Sequence, residues 1–218
     1  MSLKNAIVDI RYLLNRGYPH KGVIRFVGNH YRLDEETRLL ISRTVLPNVV
    51  SEERRKKFLS CDDIAYNKIL IDGYNIIIGM ESILEKKAYL CDDGVIRDTK
   101  GVFRNYHTSN TTEKAINFIL DFLKEKNPSY ICFLLDSQIS KSGLLAKYLR
   151  NKIKERGLRG YARTSKHVDY DLKNSEYVVV SNDGVIIDDA KKVVNLLRCV
   201  VERFGLKEGV LKVREALP

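Results

Sequence analysis

Three apolar runs, far apart along the chain, each stop on an aspartate: Lys68-Ile69-Leu70-Ile71-Asp72, Ile131-Cys132-Phe133-Leu134-Leu135-Asp136 and Val178-Val179-Val180-Ser181-Asn182-Asp183. Short unbroken runs of Ile, Val, Leu and Phe are the pattern of strands covered on both faces, as in parallel sheets. In open α/β sheets the ligand site lies beyond the carboxyl ends of the strands. Acids delivered to that edge from distant parts of the chain stand close together and repel. A hard divalent cation between them relieves the repulsion.

The rest of the pattern fits such a sheet. Residues 3–16 place Leu3, Ile7, Ile10, Leu13 and Leu14 at helical spacing, and Gly17-Tyr18-Pro19 breaks the helix. Residues 21–30 read as a second helix with Val23, Phe26 and Val27 inward. Asp34-Glu35-Glu36-Thr37 opens a third, carrying Leu39, Leu40 and Val45 and ended by Pro47. Residues 1–50 are thus expected to form a small helical bundle. Residues 51–65, with Glu52-Glu53-Arg54-Arg55-Lys56-Lys57, read as a polar helix or linker, and residues 66–218 as an α/β domain.

Within that domain Asp93-Gly94 suggests a β-ribbon or a loop excursion over residues 89–100. Thr111, Thr112 and Glu113 open a helix to Lys126 with Ile116, Ile119, Leu120 and Leu123 on one face. A loop, Ser137-Gln138-Ile139-Ser140-Lys141-Ser142-Gly143, leads into a basic helix over residues 144–156. Residues 160–163 are a further strand candidate, and residues 188–204 a closing helix. Alternating strands and helices predict a doubly wound parallel sheet.

Charge and cysteines bear on partners and setting. The net charge is +10, and excess positive charge favours polyanions. It is concentrated: residues 1–60 hold 12 Lys+Arg against 6 Asp+Glu, and residues 136–166 hold 9 against 2. Beside a carboxylate cluster, such stretches point to nucleic acid. No apolar run approaches the roughly 20 residues that span a bilayer, and the first residues lack the apolar core of a secretory signal. Cys61, Cys91, Cys132 and Cys199 form no CxxC pair. Cys132 in a strand and Cys199 in a helix read as buried thiols, so a reducing, cytoplasmic setting is expected.

The acids set the chemistry. Asp72 is followed by Gly73, which lets the backbone approach a ligand, and Asn75 is placed to bond that carboxylate or a phosphate oxygen. Asp136 is followed by Ser137, Ser140, Lys141 and Ser142 at a helix start, a phosphate seat. Asp183 is the third strand-end acid, with Asp169 and Asp171 just upstream. Mg²⁺ or Mn²⁺ on this set, as one or two ions, would suit phosphodiester hydrolysis. Arg16, Lys21, Arg25, Arg32 and Arg150 are candidates to grip phosphates. Asp93-Gly94 reads first as a hairpin turn, and Glu113 as a first-turn helix acid. The histidines His20, His30, His107 and His167 are unclustered, and no GxSxG, Walker A or HExxH pattern occurs.

Leu70-Ile71-Asp72-Gly73-Tyr74-Asn75 resembles the motif ending the first strand of the PIN-like nuclease superfamily, particularly its NYN branch. Phe133-Leu134-Leu135-Asp136 resembles the strand-end aspartate of NYN and flap-endonuclease relatives, and Val180-Ser181-Asn182-Asp183 their (Ser/Thr)-x-Asp signature. Over residues 66–205 this resemblance implies a PIN-like, Rossmannoid α/β/α sandwich, Mg²⁺ or Mn²⁺, and single-stranded or structured RNA as substrate. Of the further acids such domains carry, only Asp169 or Asp171 can precede the last strand, while Asp93, Asp98 and Glu113 compete for the earlier helix. Residues 11–33 resemble a small helical module of unknown function found in archaeal and bacterial proteins.

Three readings follow. The first is a metal-dependent ribonuclease using Asp72, Asp136, Asp183 and Asp169 or Asp171. The second is a non-catalytic RNA-binding protein on a degenerate scaffold, distinguished by binding without turnover. The third is an enzyme of a small phosphorylated metabolite, distinguished by failure to bind RNA at low salt.

Overall fold

The computed structural model describes residues 3–98 and 106–212. Its first part is helical: α1 (Leu3–Asn15), α2 (His20–His30), α3 (Glu35–Thr44) and α4 (Asn48–Lys57). Ile7, Ile10, Leu14, Val23, Val27, Leu40 and Ile41 bury together between α1, α2 and α3. Asp34 caps α3 by accepting the Thr37 amide at 2.7 Å. Phe26, expected inward, is 68% exposed. Val23 and Val27 fill the buried stripe, and a step of about 100° per residue carries Phe26 off it.

The α/β part begins earlier than the sequence pattern indicates, with β1 (Phe58–Leu59) directly after α4. There follow β2 (Lys68–Asp72), α5 (Gly73–Leu84), β3 (Ala88–Leu90), β4 (Ile96–Asp98), α6 (Asn110–Lys126) and β5 (Tyr130–Asp136). The chain continues through α7 (Ser142–Glu155), β6 (Gly160–Ser165), α8 (Val168–Lys173), β7 (Val178–Val180) and α9 (Gly184–Asp189). It closes with β8 (Val193–Val194), α10 (Leu196–Phe204) and β9 (Val210–Lys212).

β1, β2, β5, β6, β7 and β8 form one parallel sheet in the order β1-β8-β7-β2-β5-β6. The register explains the unbroken apolar runs. Ile71 lies opposite Phe133 and Val180, and Leu70 opposite Cys132 and Val179. The first row packs under α5, α6, α7 and α10. The second packs on the opposite face against Leu172 of α8 and Ile186 and Ile187 of α9. Both faces are covered, so consecutive strand residues are all buried, each such side chain contributing about 1.5–3 kcal/mol. The chain runs from β2 outward through β5 to β6, then returns to β7 on the other side of β2. The strand order therefore reverses at the carboxyl ends of β2, β5 and β7, where ligands bind in doubly wound sheets.

The β-ribbon at Asp93-Gly94 is present as the β3–β4 hairpin, with Gly94 at φ +79°, and β9 joins it as a third strand. The closing helix expected over residues 188–204 is divided: α9 ends at Asp189, and the short strand β8 precedes α10. Cys199 is not a thiol. It forms a disulfide with Cys61, Cα–Cα 5.9 Å, which leaves Cys91 and Cys132 as the free, buried cysteines. The pair is 138 residues apart in sequence, so spacing alone could not reveal it, and the cysteines give no ground for a reducing compartment. Among the described residues no helix is long and apolar enough to cross a membrane.

Candidate functional site

Asp72 ends β2 at the N-terminus of α5 and is 4% exposed. Its Oδ2 accepts the Asn75 side-chain amide at 2.6 Å and the Ser181 hydroxyl at 2.7 Å. Ser181 comes from the end of β7 and itself accepts the Asp183 backbone amide at 3.1 Å. Burial pushes the Asp72 carboxyl up to about 6 against the pull of those hydrogen bonds, and the nearby Asp183 charge adds to the rise. Gly73 makes the motif possible. A Cβ there would lie 2.7 Å from the Leu134 carbonyl oxygen and 2.6 Å from Leu135 Cδ2, so only glycine lets α5 start this close to β5.

Asp183 is exposed and caps α9 by accepting the Val185 amide at 2.7 Å. Asp136 ends the neighbouring strand β5, accepts the Gln138 amide at 2.8 Å, and helps burial raise the Tyr74 hydroxyl to about 12. The three strand-end acids thus lie along one edge, across β7, β2 and β5. Asp169 and Asp171 lie on α8, which follows β6, whose last residue Ser165 stands opposite Asp136 in the sheet. Asp169 is exposed on α8, and Asp171 is paired with Arg163 at 3.1 Å and bonded by the Ser165 hydroxyl at 2.9 Å. Glu113 sits in the first turn of α6, 3.7 Å from Lys152.

The acids divide sharply by partner. Asp92 accepts from Arg11 Nη2 at 2.9 Å and from Nε at 3.2 Å, wholly buried Asp93 binds Arg97 at 2.7 Å and Arg54 at 3.0 Å, and Arg54 also holds Asp188 at 2.7 Å. Asp98 lies 3.8 Å from Arg43. No ion pair among the described residues neutralises Asp72, Asp136 or Asp183. The positive charge of the N-terminal module is thus spent partly on docking: Arg11, Arg43 and Arg54 all reach acids of the hairpin.

Among the described residues no three His, Cys, Asp or Glu side chains group closely enough to hold a metal between them. A carboxylate cluster for two ions is not assembled. Asp183 is near enough for its charge to raise the Asp72 carboxyl, and Mg²⁺ commonly takes one or two carboxylates and fills its other positions with water and phosphate. Two like charges, one of them buried and fixed by Asn75 and Ser181, are the donor set such an ion stabilises.

Two hollows flank this edge. One of about 300 Å³ is lined by Asn75, Asn182, Asp183 and Gly184 together with Arg43, Leu46 and Arg54 of the N-terminal part. The other, about 550 Å³, lies where α6 and α7 begin, bordered by Tyr74, His107, Asn110, Ser140, Lys141 and Tyr148. Ser140 and Lys141 therefore stand at a cleft, with Lys141 at φ +62°, while Ser142 is buried in the first turn of α7. Ser137 is exposed beside Asp136. Arg150 is occupied, donating to the Ala162 carbonyl at 2.8 Å and lying over the Tyr161 ring, so it ties α7 to β6. Arg16, Lys21, Arg25 and Arg32 are exposed on the helical module.

The sequence reading assigned no part to the Ser181 hydroxyl or to Arg97, which donates to the Asn182 carbonyl at 2.8 Å and holds the Ser181-Asn182-Asp183 turn. Nor does the sequence pattern single out Glu81, a buried acid on α5 bonded by the Tyr106 hydroxyl at 2.6 Å and by Thr112. A charged residue within the apolar helix after Asp72 was the available signal.

Comparison with known proteins gives lineage without activity. Residues 61–199 match the family described as Domain of unknown function (DUF5616), and residues 2–57 match one described as Protein of unknown function (DUF434). An uncharacterized protein of Methanocaldococcus jannaschii is 38% identical over 210 residues, covering 95% of this chain and 100% of that protein. No solved structure matches. The chain belongs to the DUF5616 family, and the residues in front of that match are similar to DUF434.

Proposed function

We propose that this DUF5616 protein is a metal-dependent ribonuclease of PIN-like type, acting at the carboxyl edge of its parallel sheet. One observation carries the reading: among the described residues Asp72, Asp136 and Asp183 form no ion pair, whereas Asp92, Asp93, Asp98, Asp171 and Asp188 each face an arginine. Acids left bare at a strand-order reversal are where a cation-dependent site is expected. Asp72 and Asp183 would hold Mg²⁺ or Mn²⁺, which supplies an acidified water and charge neutralisation for the phosphodiester.

The chain's own residues do the rest. Asn75 and Ser181 fix the Asp72 carboxylate, and Asp136, at the end of β5, would serve as a proton acceptor. Lys141 and Ser140, with the amino ends of α6 and α7, seat a flanking phosphate. Arg16, Lys21, Arg25 and Arg32 add phosphate contacts, so binding weakens steeply with salt. The absence of a three-acid group among the described residues favours a second reading, RNA binding without cleavage. Labelled RNA incubated with Mg²⁺ or Mn²⁺ decides: wild type cleaves and Asp72→Asn does not. Equal cleavage by both would refute the site, and tight binding with no turnover under either ion selects the second reading.

A further inference from the structure

Three aromatic side chains stand bare on the N-terminal module: Tyr12 at 56%, Tyr18 at 56% and Phe26 at 68% exposure. They are not scattered. Tyr12 and Phe26 border one hollow between α1 and α2, and Phe26 and Tyr18 border a second of about 410 Å³, with Leu13 in the floor of both. The second hollow is apolar, and Gly22 of α2 lines it. A Cβ on Gly22 would meet nothing within 4 Å, so packing does not require the residue. Glycine inside a helix costs about 1 kcal/mol relative to alanine. Gly22 borders the hollow together with Tyr18, Pro19 and Phe26.

Cations are interleaved with these rings. Arg16 lies over the Tyr12 ring, 4.6 Å from its centroid. Lys21 and Arg25 sit on α2 one residue before Gly22 and Phe26, both exposed. None of the three forms an ion pair among the described residues. The one acid lining these hollows, Asp9, is engaged by the Tyr31 hydroxyl at 2.6 Å. Unpaired cations alternating with exposed ring faces suit a polyanion that itself presents flat π-surfaces, and bare apolar rings alone would not call for the positive charge.

We infer that the α1–α2 face is a stacking platform for the unpaired bases of single-stranded RNA, with Phe26 central, Tyr12 and Tyr18 flanking, and Arg16, Lys21 and Arg25 on the phosphates. The inference rests on the proposed function for the polymer but not for its cleavage. A base stacked on an aromatic ring contributes about 1–3 kcal/mol. A duplex hides those faces, so the platform distinguishes single strands from duplexes.

The test is fluorescence anisotropy of a labelled oligouridine with the full chain in EDTA, where turnover cannot contribute. Phe26→Ala and Tyr12→Ala each weaken binding about tenfold, while Phe26→Tyr and Tyr12→Phe retain it. Gly22→Leu, which adds a bulky side chain at a position lining the hollow, weakens it as well. Tyr66→Ala, an exposed aromatic outside the platform, leaves it unchanged. All the replaced aromatics are on the surface, and unchanged melting temperatures confirm folding. Wild-type affinity in both alanine variants, or equal affinity for a duplex, overturns the platform. A chain that shows these losses yet never cleaves RNA keeps the platform and loses the nuclease; a chain that cleaves but ignores the aromatic substitutions does the reverse.

Discussion

Replacing Asp72 by asparagine should make the metal-free protein more stable at neutral pH, although it sits at the centre of the proposed site. The folded state holds this carboxyl at about 6 rather than the ordinary 3.8, chiefly through burial. At 1.36 kcal/mol per tenfold, the ionised form costs the folded protein about 3 kcal/mol. The sign follows from proton counts. Between pH 3.8 and about 6 the folded state binds a proton that the unfolded chain has released, so stability falls as pH rises through that window and is flat above it. Asparagine removes the charge but accepts from Asn75 and Ser181 more weakly, returning about 1 kcal/mol. The net expectation is a gain of about 2 kcal/mol near pH 7.5, or roughly 4–8 °C in Tm for a chain of this size. Urea titration of both proteins in EDTA measures it, and the difference should vanish near pH 4. Adding Mn²⁺ should stabilise wild type and not the variant, since binding to the folded state alone raises stability by mass action. A destabilised Asp72→Asn at pH 7.5, or a gap independent of pH, would refute the electrostatic account.

Gly73→Ala forces a methyl group to 2.7 Å from the Leu134 carbonyl oxygen, so a loss of about 1–3 kcal/mol is expected, read from the urea midpoint. Arg54→Ala leaves wholly buried Asp93 with Arg97 alone and strips Asp188 of its guanidinium. The expected loss is about 3 kcal/mol, with faster proteolysis between α4 and β1 as the module loosens; unchanged stability would mean the docking pairs are dispensable. Replacing Cys61 and Cys199 by serine opens a bridge spanning 138 residues, with an expected cost of about 4 kcal/mol. Melting of wild type with and without reductant checks the same point, and no difference would exclude the disulfide in solution.

The parts of the fold visible in the sequence are those whose signal is local. β2, β5 and β7 announce themselves because burial on both faces makes every residue apolar, and the β3–β4 hairpin because Asp93-Gly94 marks its turn. Strands β1, at the sheet edge, and β8, beside it, are two residues each, too short for any periodicity, and exist only because neighbouring strands pair with them. The site is similarly mixed. Asp72, Asp136 and Asp183 are reached by one rule about strand ends. Asp169 and Asp171 obey no such rule: they lie on a short helix, and Arg163 at register position 163 of β6 captures Asp171. Phe26 was assigned inward by counting apolar residues, when Val23 and Val27 had already used that face.

Formal charge also proved a poor guide until partners were known. The basic N-terminal stretch contains two populations that sequence cannot separate. Arg11, Arg43 and Arg54 turn toward the hairpin and are neutralised there, whereas Arg16, Lys21 and Arg25 stay in solvent beside aromatic rings. The first population has a functional consequence. Arg43, Leu46 and Arg54 line the same hollow as Asn75, Asn182 and Asp183, so docking the module also walls one side of the bare carboxylates. An anionic strand lying on that edge meets both parts of the chain within roughly a Debye length, about 10 Å at 0.1 M salt. Removing the module would therefore do more than delete a binding face. It would leave Asp93 and Asp188 without Arg54, turning a neutral rim into an acidic one beside Asp183, and that added negative charge would repel RNA from the acids proposed to act on it.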